Sequence, residues 1–184
     1  ITALDDDALE MDVMLNTNAP PALPVTLVLA LPRPIMLKRV LSTVSSMGVK
    51  HVILFHSNRV EKSFWKSPVL NEENLRDQLI LGLEQARDTI LPKVELRPFF
   101  KPFVEDELGR MAQNTLSLVA HPQSPDPCPR NVQQQHVTLV IGPEGGFIPY
   151  EIEKLIGLGF TPVHLGERIL RVESAVPALL SRLF

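Results

Sequence analysis

The chain is predicted to adopt an α/β fold with a mostly parallel sheet and helices on both faces, and three features predict it. Strand-like and helix-like segments alternate from Val25 to the end of the chain. The strand-like segments, such as 25–31 and 137–141, are continuous apolar runs, as expected of strands buried on both faces. Several of them run directly into loops rich in glycine and proline, and ligands of such sheets bind at the carboxyl ends of strands.

The elements follow in order. Residues 1–15 suggest a turn and then an alternating strand with Leu9, Met11, Val13 and Leu15 on one face. A Pro-rich linker, NTNAPPALP, separates this strand from the rest. After the strand at 25–31, a helix is expected over 34–47, with Ile35, Val40, Val44 and Met47 inward and Gly48 ending it. A strand at 51–56 and a loop at 57–70 lead to a helix over 72–90, where Leu75, Leu79, Leu83, Ala86 and Ile90 recur at spacings of three and four. A strand at 94–99, a helix at 103–113 and a strand at 115–120 precede the loop 121–135. The strand at 137–141 is followed by a helix at 149–157 and a strand at 161–165. A closing helix at 174–183 would take Ser174 as N-cap and hold Pro177 harmlessly in its first turn.

Composition narrows the function classes. Hydrophobic residues make up 45% and charged residues 21%, which argues against global disorder. No apolar run approaches the ~20 residues that span a bilayer, so no membrane partner is expected. The single cysteine, Cys128, cannot form an internal disulfide, has no neighbouring His or Cys to suggest a metal, and is expected to be an incidental loop thiol. A reducing, cytoplasmic compartment fits this usage. The net charge of −3 excludes a globally basic nucleic-acid binder, but its distribution is uneven. Arg33, Lys38, Arg39, Lys50, Arg59, Lys62 and Lys66 face only Glu61 in the stretch 33–66, a local net charge of +6. With Phe64 and Trp65 among the lysines, the stretch suits phosphate neutralisation and base stacking, and Arg33, Lys38, Arg59, Lys62 and Lys66 are the candidate RNA contacts. A solvated basic face over a core tryptophan is the alternative.

Three strand-ending loops carry the chemistry: Ala120-His121-Pro122, Gly142-Pro143-Glu144-Gly145-Gly146, and Leu165-Gly166-Glu167-Arg168-Ile169-Leu170-Arg171. The second offers backbone N–H and C=O groups to a flat ligand, because glycine lets the main chain approach closely. It lacks the lysine and spacing of a P-loop and the G-x-G-x-x-G of a dinucleotide fingerprint. A plain structural turn remains the other reading. In the third loop, Ile169 and Leu170 are placed to sandwich a base and Arg171 to reach a polar group, or else the arginines are surface charges and the apolar pair is core.

The two late segments together, IGPEGGF and LGERILRVESA, closely resemble the C-terminal signature of the ribosomal RNA uridine-N3 methyltransferase family of the SPOUT class. Weaker likenesses are Leu31-Pro32-Arg33, Met47-Gly48-Val49, Ser57-Asn58-Arg59 and Glu84-Gln85-Ala86-Arg87, so the resemblance covers about residues 25–184. The family's usual Arg-x-Glu-Thr-Ala stands here as Arg171-Val172-Glu173-Ser174-Ala175.

The resemblance implies a SPOUT-type sheet with a C-terminal trefoil knot, a homodimer, and S-adenosyl-L-methionine bound by Ala120, His121, Pro122, Gly142, Pro143, Glu144, Gly145, Gly146, Leu165, Gly166, Ile169, Leu170, Arg171 and Ala175. It implies that residues 1–22 are the remnant of an N-terminal PUA-like domain plus linker and 23–184 the methyltransferase domain. The expected reaction is methylation of a uridine N3 in small-subunit ribosomal RNA. Arg171 is the candidate to stabilise the anionic base, and Glu144 or Glu173 to accept the proton. The structural alternatives are a loop-fastening bond for Glu144 and a helix N-terminal charge for Glu173. Another RNA target, a non-catalytic RNA-binding or assembly factor, and an unrelated nucleotide-binding α/β protein are the competing functions.

Overall fold

The computed structural model describes residues 1–14, 16–132 and 135–184. Its centre is a six-stranded, entirely parallel sheet in the order β5-β4-β3-β7-β6-β8. The strands are β3 (Val25–Ala30), β4 (His51–Phe55), β5 (Lys93–Arg97), β6 (Leu116–Ala120), β7 (Val137–Ile141) and β8 (Thr161–Val163). The two central strands, VTLVLA and VTLVI, are buried at every position, which is why their sequences do not alternate. Edge strand β5 instead carries charge. Glu95 bonds Lys93 (2.8 Å), Arg97 (2.9 Å) and His51 (2.8 Å), and Arg97 also bonds Glu107 (2.8 Å). Such a charged edge resists pairing with another sheet.

Helices α1 (Pro34–Ser46) and α2 (Glu72–Ala86) join strands that step one way along the sheet. The helical segment from β5 to β6 and helix α5 step the other way, and right-handed crossovers put them on the opposite face. That segment is α3 (Phe100–Pro102), a π-helical stretch (Phe103–Leu108) and α4 (Gly109–Met111), and α5 is Pro149–Gly157. On this face Phe55 of β4 meets Phe103, Phe100 and Phe147 at ring distances of 5.6, 6.2 and 6.3 Å. On the other face α1 and α2 pack closely: Ser45 donates a hydrogen bond to the Leu79 carbonyl at 2.7 Å. The closing helix α6 (Val172–Leu183) packs against α1.

Ile35 is 67% exposed, because the inward stripe of α1 is Leu37, Val40, Leu41 and Val44. Helix α2 ends at Ala86, where Arg87 turns left-handed (φ 53°), so Ile90 lies beyond it and is exposed. Helix α6 begins at Val172 with Arg171 as N-cap, so Ser174 is inside the first turn and Pro177 sits in the interior. The helix survives the missing N–H because Val176, Leu179, Leu180 and Leu183 are buried in the core. The first residues form a small antiparallel hairpin, β1 (Ala3–Leu4) with β2 (Leu9–Glu10), instead of one alternating strand. Leu9 of the hairpin and Met11 and Val13 beyond it are exposed, and Leu15 of the expected face lies outside the described residues.

Cys128 lies in the loop 121–135 but is buried in the core, 1% exposed, and burial raises its thiol pKa. The loop around it is tied to both β8 and α6. Cys128 N–H donates to the His164 carbonyl (2.8 Å), Arg182 Nε to the Cys128 carbonyl (2.6 Å) and Val132 N–H to the Leu183 carbonyl (2.7 Å). Among the described residues no helix is long and apolar enough to cross a membrane.

Candidate functional site

The direction of the crossovers reverses between β3 and β7, and a crevice opens beyond the carboxyl ends of strands at such a reversal. Here the crevice is a cleft of about 650 Å³. Its walls come from the loop after β6 (Ala120, His121, Pro122), the loop after β7 (Gly142, Pro143, Glu144, Gly145, Gly146), the loop after β8 (Ile169, Leu170), and Val172 and Ala175 at the start of α6. Leu165 and Gly166 line an adjoining recess of about 60 Å³, which shares Ala120, His121, Pro122, Leu170 and Ala175 with the cleft. The three segments singled out in the sequence therefore converge on one place.

The glycines of the β7 loop have separate physical reasons. Gly146 has φ +73°, a conformation that side chains resist. A Cβ on Gly142 would stand 3.0 Å from the Phe147 ring, and one on Gly145 would stand 3.0 Å from the Arg59 side chain. Glu144 accepts a hydrogen bond from the Arg33 backbone N–H at 3.1 Å, which makes it a fastener between the loops after β3 and β7. Ile169 and Leu170 are 79% and 41% exposed, so they are not core residues but apolar side chains presented at the cleft. Burial holds the His121 imidazole below its usual pKa.

Arg171 is exposed at the N-cap of α6 and stands next to the cleft residues Leu170 and Val172 without itself lining the cleft. Glu173 is half-buried in the first turn of α6, where a negative charge meets the positive end of the helix.

The basic stretch is divided by the structure. Arg33, Lys38, Lys62 and Lys66 are exposed. Lys50 is committed to Asp88 (2.6 Å) and the Ile90 carbonyl (2.6 Å). Arg59 lines the cleft and donates to the Gly145 carbonyl, a role not anticipated from sequence. Phe64 and Trp65 are half-buried against the core, and Trp65 Nε1 donates to His56 Nδ1 at 2.9 Å, so they are not free stacking platforms. Sequence reasoning also missed Glu151. It is 2% exposed and accepts from the backbone N–H groups of Asn58 (2.7 Å) and Ile148 (3.1 Å). Its spacing of three residues from the helix N-cap was the available sign, since a glutamate there reaches back to the N-cap N–H. Among the described residues no group of three or more His, Cys, Asp or Glu is placed to hold a metal.

A parallel α/β sheet with helices on both faces and a glycine-walled cleft at its crossover reversal has the doubly wound arrangement, in which such a crevice is the usual place for a ligand. More particularly, the chain belongs to the RNA methyltransferase domain family, whose sequence profile matches residues 19–184. It is 32% identical over 158 residues to the ribosomal RNA small subunit methyltransferase E of Treponema pallidum, covering 84% of this chain and 59% of that protein. A corresponding enzyme of Borreliella burgdorferi, methyltransferase E 1, is 26% identical over 148 residues, covering 79% and 60%. The chain thus spans about three-fifths of the length of these relatives. Among solved structures, a putative methyltransferase of Legionella pneumophila in complex with S-adenosylmethionine superposes with TM-score 0.70 at 28% identity, covering 86% of this chain and 65% of that one. The methyltransferase E of Neisseria gonorrhoeae, bound to S-adenosylmethionine, shares the fold with TM-score 0.72 at 19% identity, covering 92% and 68%.

Proposed function

We propose that this chain is the catalytic part of an S-adenosyl-L-methionine-dependent methyltransferase acting on N3 of a uridine in small-subunit ribosomal RNA. The observation that carries the reading is the convergence of three strand-ending loops on one cleft of about 650 Å³. Both the relatives named for small-subunit RNA methylation and the cofactor held by the Legionella protein support it.

The cleft fits the cofactor. Its size is within the usual ~300–1,000 Å³ of small-molecule sites. Ile141, Ile152, Ile169 and Leu170 offer apolar surface to a flat base, and the Gly142–Gly146 backbone offers hydrogen-bonding groups at close approach. When bound, S-adenosyl-L-methionine supplies an electrophilic methyl group. The protein must then orient the uridine, exclude water and deal with the N3 proton. Glu144 already accepts the Arg33 backbone N–H, which favours its loop-fastening role, and Glu173, in the first turn of α6 next to the cleft residue Val172, is the other candidate to accept the proton. Arg171, exposed beside the cleft, pairs with a uracil carbonyl oxygen as the base becomes anionic. Arg33, Lys38, Lys62 and Lys66 take the RNA backbone.

The same reading gives the chain a C-terminal trefoil knot and a homodimeric state, with residues 1–22 belonging to a PUA-like domain and linker. The bonds between the loop 121–135 and α6 support the knot, and the exposed hairpin outside the main sheet supports the separate N-terminal unit. A cytoplasmic location goes with the ribosomal substrate.

Nucleoside mass spectrometry tests the reading on small-subunit RNA incubated with the chain and S-adenosyl-L-methionine. N3-methyluridine is the expected product. A ribose-methylated or other nucleoside replaces the target, and cofactor binding without product favours the assembly factor.

A further inference from the structure

The loops after β3, β4 and β7 lie side by side because their strands are neighbours in the sheet. One buried carboxylate joins two of them. Glu151 is in the first turn of α5, 2% exposed, and both of its oxygens are occupied. One accepts the Asn58 N–H at 2.7 Å and the other the Ile148 N–H at 3.1 Å. Asn58 precedes Arg59, whose guanidinium donates to the Gly145 carbonyl. Ile148 precedes Pro149, which lines the cleft together with Ile152 and Glu153 of the same helix. A buried carboxylate needs partners, and here the partners are the main chain of two segments that wall the cleft.

We propose that Glu151 is a positioning residue that clamps the Asn58–Arg59 turn, so that Arg59 holds the glycine-rich loop in its ligand-binding shape. The inference rests on the cleft being the S-adenosyl-L-methionine site. It also makes the two surfaces interdependent. The turn that carries Arg59 leads into the exposed Lys62 and Lys66, so fixing the turn orders the start of the basic face as well as the cleft wall.

A double-mutant cycle on the full chain tests this by calorimetric titration with S-adenosyl-L-methionine. Glu151→Gln keeps the shape but leaves one N–H without an acceptor, and Arg59→Met removes the bond to Gly145. Each single change is expected to weaken cofactor binding about tenfold, the usual effect of one lost hydrogen bond. If Glu151 acts through Arg59, the double variant is no weaker than the worse single within about twofold, because the two lie on one line of action. Losses that multiply to about a hundredfold overturn the proposal, since Glu151 then supports the fold independently of Arg59. Absence of binding by the wild-type chain overturns the cofactor reading itself, and this inference with it. If Glu151→Gln does not fold, hydrogen exchange of the wild-type chain replaces the cycle. Cofactor should slow exchange of the Asn58 amide, which lies outside the cleft lining, by about fivefold or more, as local opening is suppressed. Unchanged exchange there overturns the proposal.

Discussion

The carboxylate of Glu144 lies 3.1 Å from the backbone nitrogen of Arg33 and accepts its hydrogen bond. A glutamate between a proline and two glycines thereby ties the most glycine-rich loop of the chain to the loop after the neighbouring strand. Because a glutamine oxygen also accepts, Glu144→Gln should keep cofactor affinity and turnover near wild type. Glu144→Ala should weaken affinity by up to about tenfold through loss of that bond. Calorimetry with a methylation assay checks both. Abolished turnover in Glu144→Gln would make Glu144 the proton acceptor instead.

Helices α1 and α2 touch at Gly82. A Cβ there would stand 2.2 Å from the Ser42 carbonyl and 2.7 Å from the Ser45 Cβ, and helix backbones do not give by that much. Gly82→Ala should therefore destabilise the fold by at least about 1–3 kcal/mol despite its better helix propensity. Leu81→Ala, at a 53% exposed neighbour, should change little. Thermal unfolding of the two variants beside wild type measures the difference.

Trp65 is the single tryptophan, and its indole N–H donates to Nδ1 of His56. That nitrogen must be unprotonated to accept. Burial, followed by the nearby charge of Lys62, holds the His56 pKa below its ordinary value of 6.5. A depressed histidine contributes stability that is complete above the unfolded pKa and is lost as pH falls through the folded one. Tryptophan emission should therefore be constant above pH 6.5 and shift at lower pH. The shift should be absent in His56→Leu, which a fluorescence titration checks.

Glu95 gives an acid-side counterpart. Hydrogen bonding from Lys93, then from His51 and Arg97, outweighs its partial burial and lowers its pKa from 4.5 to about 2. A carboxylate so depressed stabilises the fold above its unfolded pKa, and the contribution fades as pH falls from 4.5 toward 2. Glu95→Gln should lower the melting temperature near neutral pH, and the gap from wild type should close across that window.

Much of this architecture is legible in the chain itself. The apolar runs of β3 and β7 state their burial on both faces, and the loops after β6, β7 and β8 announce the cleft by glycine, proline and apolar content. What is not legible depends on partners far away in sequence. Arg59 looks like one more cation in a basic stretch until the sheet order brings its turn against Gly145. The place of Glu151 in a helix first turn hints at its bond to the Ile148 N–H, but its other partner, Asn58, lies 93 residues away in sequence. Ile35 fits the helical period, yet its neighbours Leu37 and Leu41 face the core more squarely. Pro177 suggests a helix start because local rules penalise it elsewhere, and burial of the flanking turns overrides them.

The most direct test is a crystal structure of the chain grown with S-adenosyl-L-methionine. The ligand is expected in the cleft, with the adenine against the Gly142–Gly146 backbone and between Ile169 and Leu170. A ligand seated elsewhere, or those loops left without contact to it, would rule out the cleft as the cofactor site.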